Sequence, residues 1–395
     1  MVIDGASRAV ATPDDAAAFA ATLASAARTR QPTVISGGGS KLAWGRPAAI
    51  DLLVSTAKLN RVVAHRHGDL TATIESGARL IDVNRELGTH RQWLPIDSAF
   101  PGATIGGIVA SNDCGPLRHR FGTPRDLLIG VTLALADGRV VKAGGTVVKN
   151  VAGYDLGRLV SGSFGSLAGI VAATFKLSPV FSASGTLGVV YRDASAIAGD
   201  VQLVASNQFE MTALDVLSAP AVGGREHRLL VRFASSPEAT DAQLVAARSL
   251  ITGDAQIVRG ESEADLWNVQ VGAPWIGDGA TIRFAWLPAD LAQVLTLVAE
   301  IEHKTGAVLT LAARAAVGAG LLRVDGPSDA VISVVERLRR RPDLVGNVVV
   351  LRALLDVKQA IDVCGPAGDA APVLRAIKQA LDPAGVLNAG RGPIW

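Results

Sequence analysis

The chain has 395 residues, room for two domains with separate cores at the usual ~100–200 residues each. Its 38 basic residues nearly balance its 36 acidic ones, so the net basic excess of a nucleic-acid binder is missing. The two cysteines, Cys114 and Cys364, have no CxxC neighbour, which excludes an iron–sulfur or zinc centre built from this chain's own thiolates, and no metal site is expected.

Taken in chain order, Thr12, Pro13, Asp14 and Asp15 predict a helix over residues 12–28, with Thr12 as N-cap ahead of a proline and an acidic first turn. Residues 33–36 read as a strand that runs into three glycines. Short strands are expected at 52–54, 61–65 and 71–76, and Leu80, Val83 and Leu87 mark one face of a helix. Residues 126–141 predict a hairpin around an Asp137-Gly138 turn.

After Ser178-Pro179 a new series of strands and helices begins. The expected division is therefore 1–179 as a first domain, 180–370 as a second, and 371–395 as a helix followed by a glycine-rich tail. No stretch reaches the roughly 18 uncharged apolar residues of a spanning helix, and Arg314 interrupts the nearest candidate at 306–322. Asp4 and Arg8 precede any apolar run, so the start lacks the form of a signal peptide and a cytoplasmic location is expected.

Four segments carry the candidate chemistry. The first is Ser36, Gly37, Gly38, Gly39, Ser40 and Lys41, whose bare amides could turn toward an anion. A dinucleotide fingerprint would need glycine at Leu42, and a phosphate-binding Walker loop would need Gly-Lys-Ser/Thr, so a plain glycine turn explains this segment when it is read by itself. The second is Pro101, Gly102, Ala103 and Thr104, followed by Gly106, Gly107, Ser111 and Asn112; Thr104 is placed to cap a short helix whose amides aim at the same anion. Two amide cradles suit a diphosphate.

The third segment, 115–130, includes Arg118, Phe121, Gly122, Arg125 and Asp126, and the last two are expected to form a surface pair worth at most about 1 kcal/mol. The fourth contains Lys149, Asn150, Tyr154 and Asp155 and continues through Gly165, Leu167, Gly169 and Ile170. Tyr154 is one of only two tyrosines and stands in a glycine-rich stretch where a phenol has little packing use.

These four segments, ordered over about 140 residues, resemble the FAD-linked oxidases with a vanillyl-alcohol oxidase/para-cresol methylhydroxylase-type FAD-binding domain. Within that group they resemble above all the FAD-binding subunits of bacterial glycolate oxidase complexes. The resemblance implies an α+β fold: a para-cresol methylhydroxylase-type FAD-binding domain, a smaller α+β cap domain, and a tail, 381–391, that returns to the FAD domain. It implies FAD at Ser36–Lys41, Pro101–Thr104, Gly106, Gly107, Ser111, Asn112, Lys149, Tyr154, Gly165, Gly169 and Ile170. In this family covalent FAD often hangs from a histidine in the first loop, and this loop has none, so noncovalent FAD is expected.

Family members that oxidise 2-hydroxy acids carry an HxGDGNxH motif in the cap, whereas the corresponding segment here, 311–324, has no histidine. The six histidines are scattered and read as surface or structural groups. The chain therefore looks like a subunit that accepts or relays electrons. Its implied partners are a larger homologous FAD subunit, an iron–sulfur subunit and a small 2-hydroxy acid, any membrane contact being peripheral and made through that complex. Two alternatives stand beside this reading: a self-sufficient FAD-dependent dehydrogenase using Arg314, Arg323 or His303, and a scaffold subunit whose flavin site has decayed.

Overall fold

The computed structural model describes residues 9–47, 50–146 and 155–392. They fall into two compact units, residues 1–114, 121–180 and 366–395 in one, and 115–120 with 181–365 in the other.

The first unit holds a three-stranded sheet, a five-stranded sheet and the short antiparallel pair of Gln92–Trp93 with Ser178–Pro179. A three-stranded parallel sheet orders Ala9–Ala11, Leu52–Ser55 and Thr33–Ser36, with Leu52–Ser55 in the middle. A five-stranded antiparallel sheet orders Val62–Arg66, Thr71–Glu75, Gly169–Lys176, Leu128–Ala134 and Val140–Gly144. The central strand Gly169–Lys176 is buried except at Lys176, as a strand covered on both faces must be. The hairpin turns at Gly138, which takes φ +89°.

The helix Ala16–Arg28 lays Phe19, Ala20, Leu23 and Ala26 on one face, and a Cβ at Gly169 would collide with the Phe19 ring. The predicted start of this helix is corrected. Asp15 is the cap, because its carboxylate accepts the Ala18 N–H at 2.7 Å, and Thr12 lies outside the helix.

The second unit is one eight-stranded antiparallel sheet made of two copies of the same unit, strand-helix-strand-strand-helix-strand. The first copy runs Ala183–Tyr191, Ala194–Ala205, Met211–Ala221, Gly224–Ser235, Pro237–Leu250 and Gln256–Val258; the second runs Ala280–Ala285, Leu291–Thr305, Val308–Arg314, Ala319–Asp325, Ser328–Arg339 and Gly346–Arg352. The copies join along Met211–Ala221 and Val308–Arg314, where Asp215 pairs with Arg314 through to Ser218 with Leu311. All four helices share one core with the inward residues of the sheet, including Leu187, Val231, Ile282, Phe284, Leu311 and Val350.

The linking helix Gly260–Gly272 covers the other face at Ala213 and Leu230 through Trp267, whose indole N–H donates to Thr186 Oγ1 at 2.9 Å. Trp267 and Trp286 are buried. Among the described residues no helix is long and apolar enough to cross a membrane.

One carboxylate in the five-stranded sheet gives a pH test. Burial of Glu75 pushes its pKa up, but bonds from the Arg61 side chain and from the Arg61 and Asn60 amides outweigh this and hold it below its ordinary value. A depressed carboxylate contributes stability that is present above its unfolded pKa and is lost as pH falls through the lower folded value. In Arg61→Ala, burial is opposed by backbone amides alone, so the acid loss of stability should begin at higher pH than in the wild type. Midpoints of urea unfolding between pH 3 and 7 measure this.

Candidate functional site

The strand Thr33–Ser36 delivers the chain into the first glycine loop. Among the described residues the backbone N–H groups of Gly37, Gly38, Gly39, Ser40 and Lys41 donate to no protein acceptor, and Gly38 and Gly39 are exposed. Gly39 takes φ +73°, a conformation glycine adopts without strain. A Cβ at Gly37 would collide with the Thr104 side chain and one at Gly38 with Gly102 O, so the first and second loops meet backbone to backbone. Gly102 itself has its nearest neighbour 4.0 Å from a built Cβ.

The second loop divides the expected residues into two sets. Among the described residues, Gly102, Thr104 and Gly107 keep amides without a protein acceptor, whereas Ala103, Ile105 and Gly106 spend theirs on Phe100 O, Ala78 O and Ser76 O. Thr104 stands at the N-cap of Ile105–Ser111, but its hydroxyl makes no cap bond. That expectation is corrected: Oγ1 is turned to Gly37, where it is buried with no hydrogen-bond partner among the described residues. Gly106 is a packing glycine, since its Cβ would come 2.7 Å from Ser76 Cβ. Ser111 donates to Gly107 O at 2.6 Å, and Asn112 Oδ1 accepts from Arg125 N at 3.2 Å. Pro101 has no N–H to offer.

Lys41 does not extend toward the open amides. Its ammonium lies 2.9 Å from Asp113 Oδ2 and 4.9 Å from the centre of the Phe100 ring, with Trp44 edge-on to Phe100, and Ser98 Oγ donates to the same Asp113 oxygen. Its charge is largely spent within the protein.

The fourth segment is only partly placed. Lys149, Asn150 and Tyr154 lie outside the described residues. Asp155 caps Leu156–Val160 through Arg158 N at 2.9 Å. In the following loop Gly162, Phe164 and Gly165 all take positive φ, and Gly162 and Phe164 donate to Val109 O and Ala110 O at the end of the second-loop helix. Gly165 therefore joins the loop cluster. Gly169 faces Phe19 and the Ile170 side chain is in the core, so packing explains both.

Sequence reasoning missed the individual residues that hold these loops from behind. Asn388 Nδ2 donates to Phe164 O. Lys378 Nζ donates to Ser166 O at 2.6 Å, Asp382 Oδ2 at 2.7 Å and Leu387 O at 3.0 Å, and Asp382 accepts from the amides of Val386 and Leu387. Burial pulls the Lys378 ammonium below its ordinary pKa against the pull of Asp382. One Arg391 nitrogen donates to Lys41 O, Leu42 O and Trp44 O. The Lys378 and Asp382 spacing of four on a helix was the available signal.

Other expectations change. Asp126 does not pair with Arg125; it closes a capping box, accepting Thr123 N and Thr123 Oγ1 at 2.8 Å, and Gly122, at φ +77°, lets it approach. Three of the six histidines converge: His67 and His90 stack at 4.7 Å between ring centres, with His65 at 5.1 Å from His90. Among the described residues no group of three His, Cys, Asp or Glu could hold a metal ion.

In the second unit Arg314 lies 3.7 Å from the buried Asp215, and Arg323 pairs with Asp325. Alternation in Val308–Arg314 sends Leu309, Leu311 and Ala313 to the helix-covered face and Arg314 to the other, while His303 is exposed on Leu291–Thr305. The three residues do not converge.

Residues 7–144 match the family described as FAD binding domain. The chain is 32% identical over 195 residues to glycolate oxidase subunit GlcD of Bacillus subtilis (strain 168), a match covering 49% of this chain and 42% of that protein. It is 35% identical over 153 residues to glycolate oxidase subunit GlcE of Escherichia coli (strain K12), covering 38% and 43%. D-2-hydroxyglutarate dehydrogenase of Xanthomonas citri pv. viticola is 26% identical over 399 residues, covering 91% and 83%. In fold, a solved alkyldihydroxyacetonephosphate synthase superposes with a TM-score of 0.71 at 14% identity, covering 96% of this chain and 76% of that one.

The architecture is thus α+β with a para-cresol methylhydroxylase-type FAD-binding domain, and FAD is its cofactor. Residues 7–144 thus form a domain of the FAD-binding family, and over part of its length the chain is similar to glycolate oxidase subunits. The matches to the two glycolate oxidase subunits span less than half the length of either.

The donor set at the two loops fits a diphosphate: open amides, a buried unpartnered hydroxyl at Thr104, and no carboxylate within either loop. Because a Cβ at Gly38 has no space while one at Gly102 does, Gly38→Ala and Gly38→Asp should both lose FAD and Gly102→Ala should keep it. Flavin absorbance per mole of purified protein reads the contrast.

Proposed function

We propose that this chain is the FAD-binding subunit of a complex that oxidises a 2-hydroxy acid of the glycolate type, and that it accepts or relays electrons within it. FAD would be held noncovalently by the amides of Gly37–Lys41, by Gly102, Thr104 and Gly107, and by the loop at Gly165. Lys149, Tyr154 and the backbone at Gly169 and Ile170 belong to the same proposed site, as do Ser36, Pro101, Ala103, Gly106, Ser111 and Asn112 through the shape they give the loops. When bound, FAD supplies a two-electron acceptor for carbon–hydrogen oxidation.

The protein's own contribution is to fix the diphosphate, keep the first loop free of side chains, and orient the flavin-bearing loop against the carboxyl-terminal tail. Its proposed partners are a larger homologous FAD subunit and an iron–sulfur subunit. A cytoplasmic location, with membrane contact made through those partners, belongs to the same proposal.

One observation carries the division of labour: the hairpin of Val308–Arg314 and Ala319–Asp325 has no histidine, and its arginines are committed to Asp215 and Asp325. A positioned base typically contributes about 10²–10⁴ in rate, and this hairpin presents none. A second reading, a self-sufficient 2-hydroxy acid dehydrogenase, is favoured by the nearly full-length likeness to the D-2-hydroxyglutarate dehydrogenase.

Two measurements decide. Acid precipitation should release the yellow chromophore into the supernatant, and colour retained in the pellet would refute noncovalent binding. The purified chain should turn over glycolate or lactate negligibly with an artificial electron acceptor and gain turnover on coexpression with the two partner subunits; robust single-chain turnover would instead establish the self-sufficient enzyme.

A further inference from the structure

The carboxyl-terminal segment reaches both loops assigned to the cofactor, and it does so with buried cations. From the helix Ala371–Leu381, Lys378 takes the carbonyl of Ser166 together with Leu387 O. Ten residues later Asn388, held at φ +43° and tied through its amide to Thr33 O, donates to Phe164 O. Arg391 then closes on the other loop, with one nitrogen serving the carbonyls of Lys41, Leu42 and Trp44. Leu387 bridges Thr33, at the start of the strand that delivers the first glycine loop.

We propose that residues 378–391 form a positioning clasp for FAD. Arg391 fixes the exit of the Gly37–Lys41 loop and Asn388 and Lys378 fix the Phe164–Ser166 loop, so that cofactor affinity depends on side chains that do not touch the cofactor.

The electrostatics support this assignment. Arg391 is 6% exposed, and among the described residues no carboxylate pairs with it. Burial lowers its pKa to about 10, which leaves it charged at neutral pH. A buried cation without a counter-ion is costly where nothing anionic approaches, yet it is favourable behind a row of open amides that receives a diphosphate.

The clasp rests on the assignment of these loops to FAD, and the experiment separates the two. Apoprotein is titrated with FAD, following flavin fluorescence and the visible circular dichroism of the bound flavin. Failure of the wild-type chain to bind FAD would sink the loop assignment itself.

Given wild-type binding, Arg391→Met should raise the FAD Kd by about tenfold or more, the loss expected for charge-assisted bonds. Millimolar guanidinium should restore part of the affinity of Arg391→Ala, which a general loss of stability would not allow. Asn388→Ala should weaken binding several-fold and change the flavin dichroism, with far-ultraviolet dichroism unchanged. Wild-type Kd and spectrum in both Arg391→Met and Asn388→Ala would overturn the clasp. Should the Arg391 variants prove insoluble, Asn388→Ala decides alone by the same two readouts.

Discussion

The approach of Gly38 to Gly102, backbone against backbone, is the constraint around which the first unit is arranged. Two loops separated by more than sixty residues can share one anion only if nothing stands between them, and a single Cβ would already stand there. Everything near the contact serves to hold it. The parallel strands set the first loop, the packing of Gly106 on Ser76 sets the second, and the helix Ile105–Ser111 carries the arrangement on to the loop at Gly162–Gly165.

The free amides follow from this geometry. A loop pressed against its neighbour through carbonyl and Cα positions leaves its N–H groups on the open side, and water or an anion must satisfy them. The carbonyls that face inward find Arg391. Lys41, placed by sequence beside the glycines, is drawn to Asp113 and the Phe100 ring instead, so among the described residues the positive character of the two loops comes mainly from backbone dipoles and from an arginine 350 residues away in the chain.

The sequence made some of this legible and concealed the rest for physical reasons. Glycine runs announce backbone that must come close to something, so both loops were visible, as were the strands and helices whose apolar spacing is regular. Which amide in a loop is free depends on the acceptors nearby, and for Gly106 that acceptor is Ser76, which local pattern does not reveal. Thr104 looked like a helix cap because its type and position suit one, yet its hydroxyl turned toward Gly37. The roles of Asn388 and Arg391 stayed hidden because their partners are carbonyls, which every residue has. The doubling of the second unit was equally hidden: the two copies share order and packing, whereas their outward residues differ.

That doubling bears on how the chain folds. Within each copy the strands pair over short spans, but the seam joins Asp215 to Arg314, about a hundred residues apart, and loop closure over such a distance is made late. Until then Met211–Ala221 and Val308–Arg314 are both open strand edges, able to join a wrong chain. Each edge carries one charge on the face away from the helices, Asp215 on the first and Arg314 on the second. Opposed to a copy of itself each would meet its own sign; opposed to the other, 3.7 Å away, it meets its complement. The buried ion pair thus acts as a pairing code, spent once the correct edges have met.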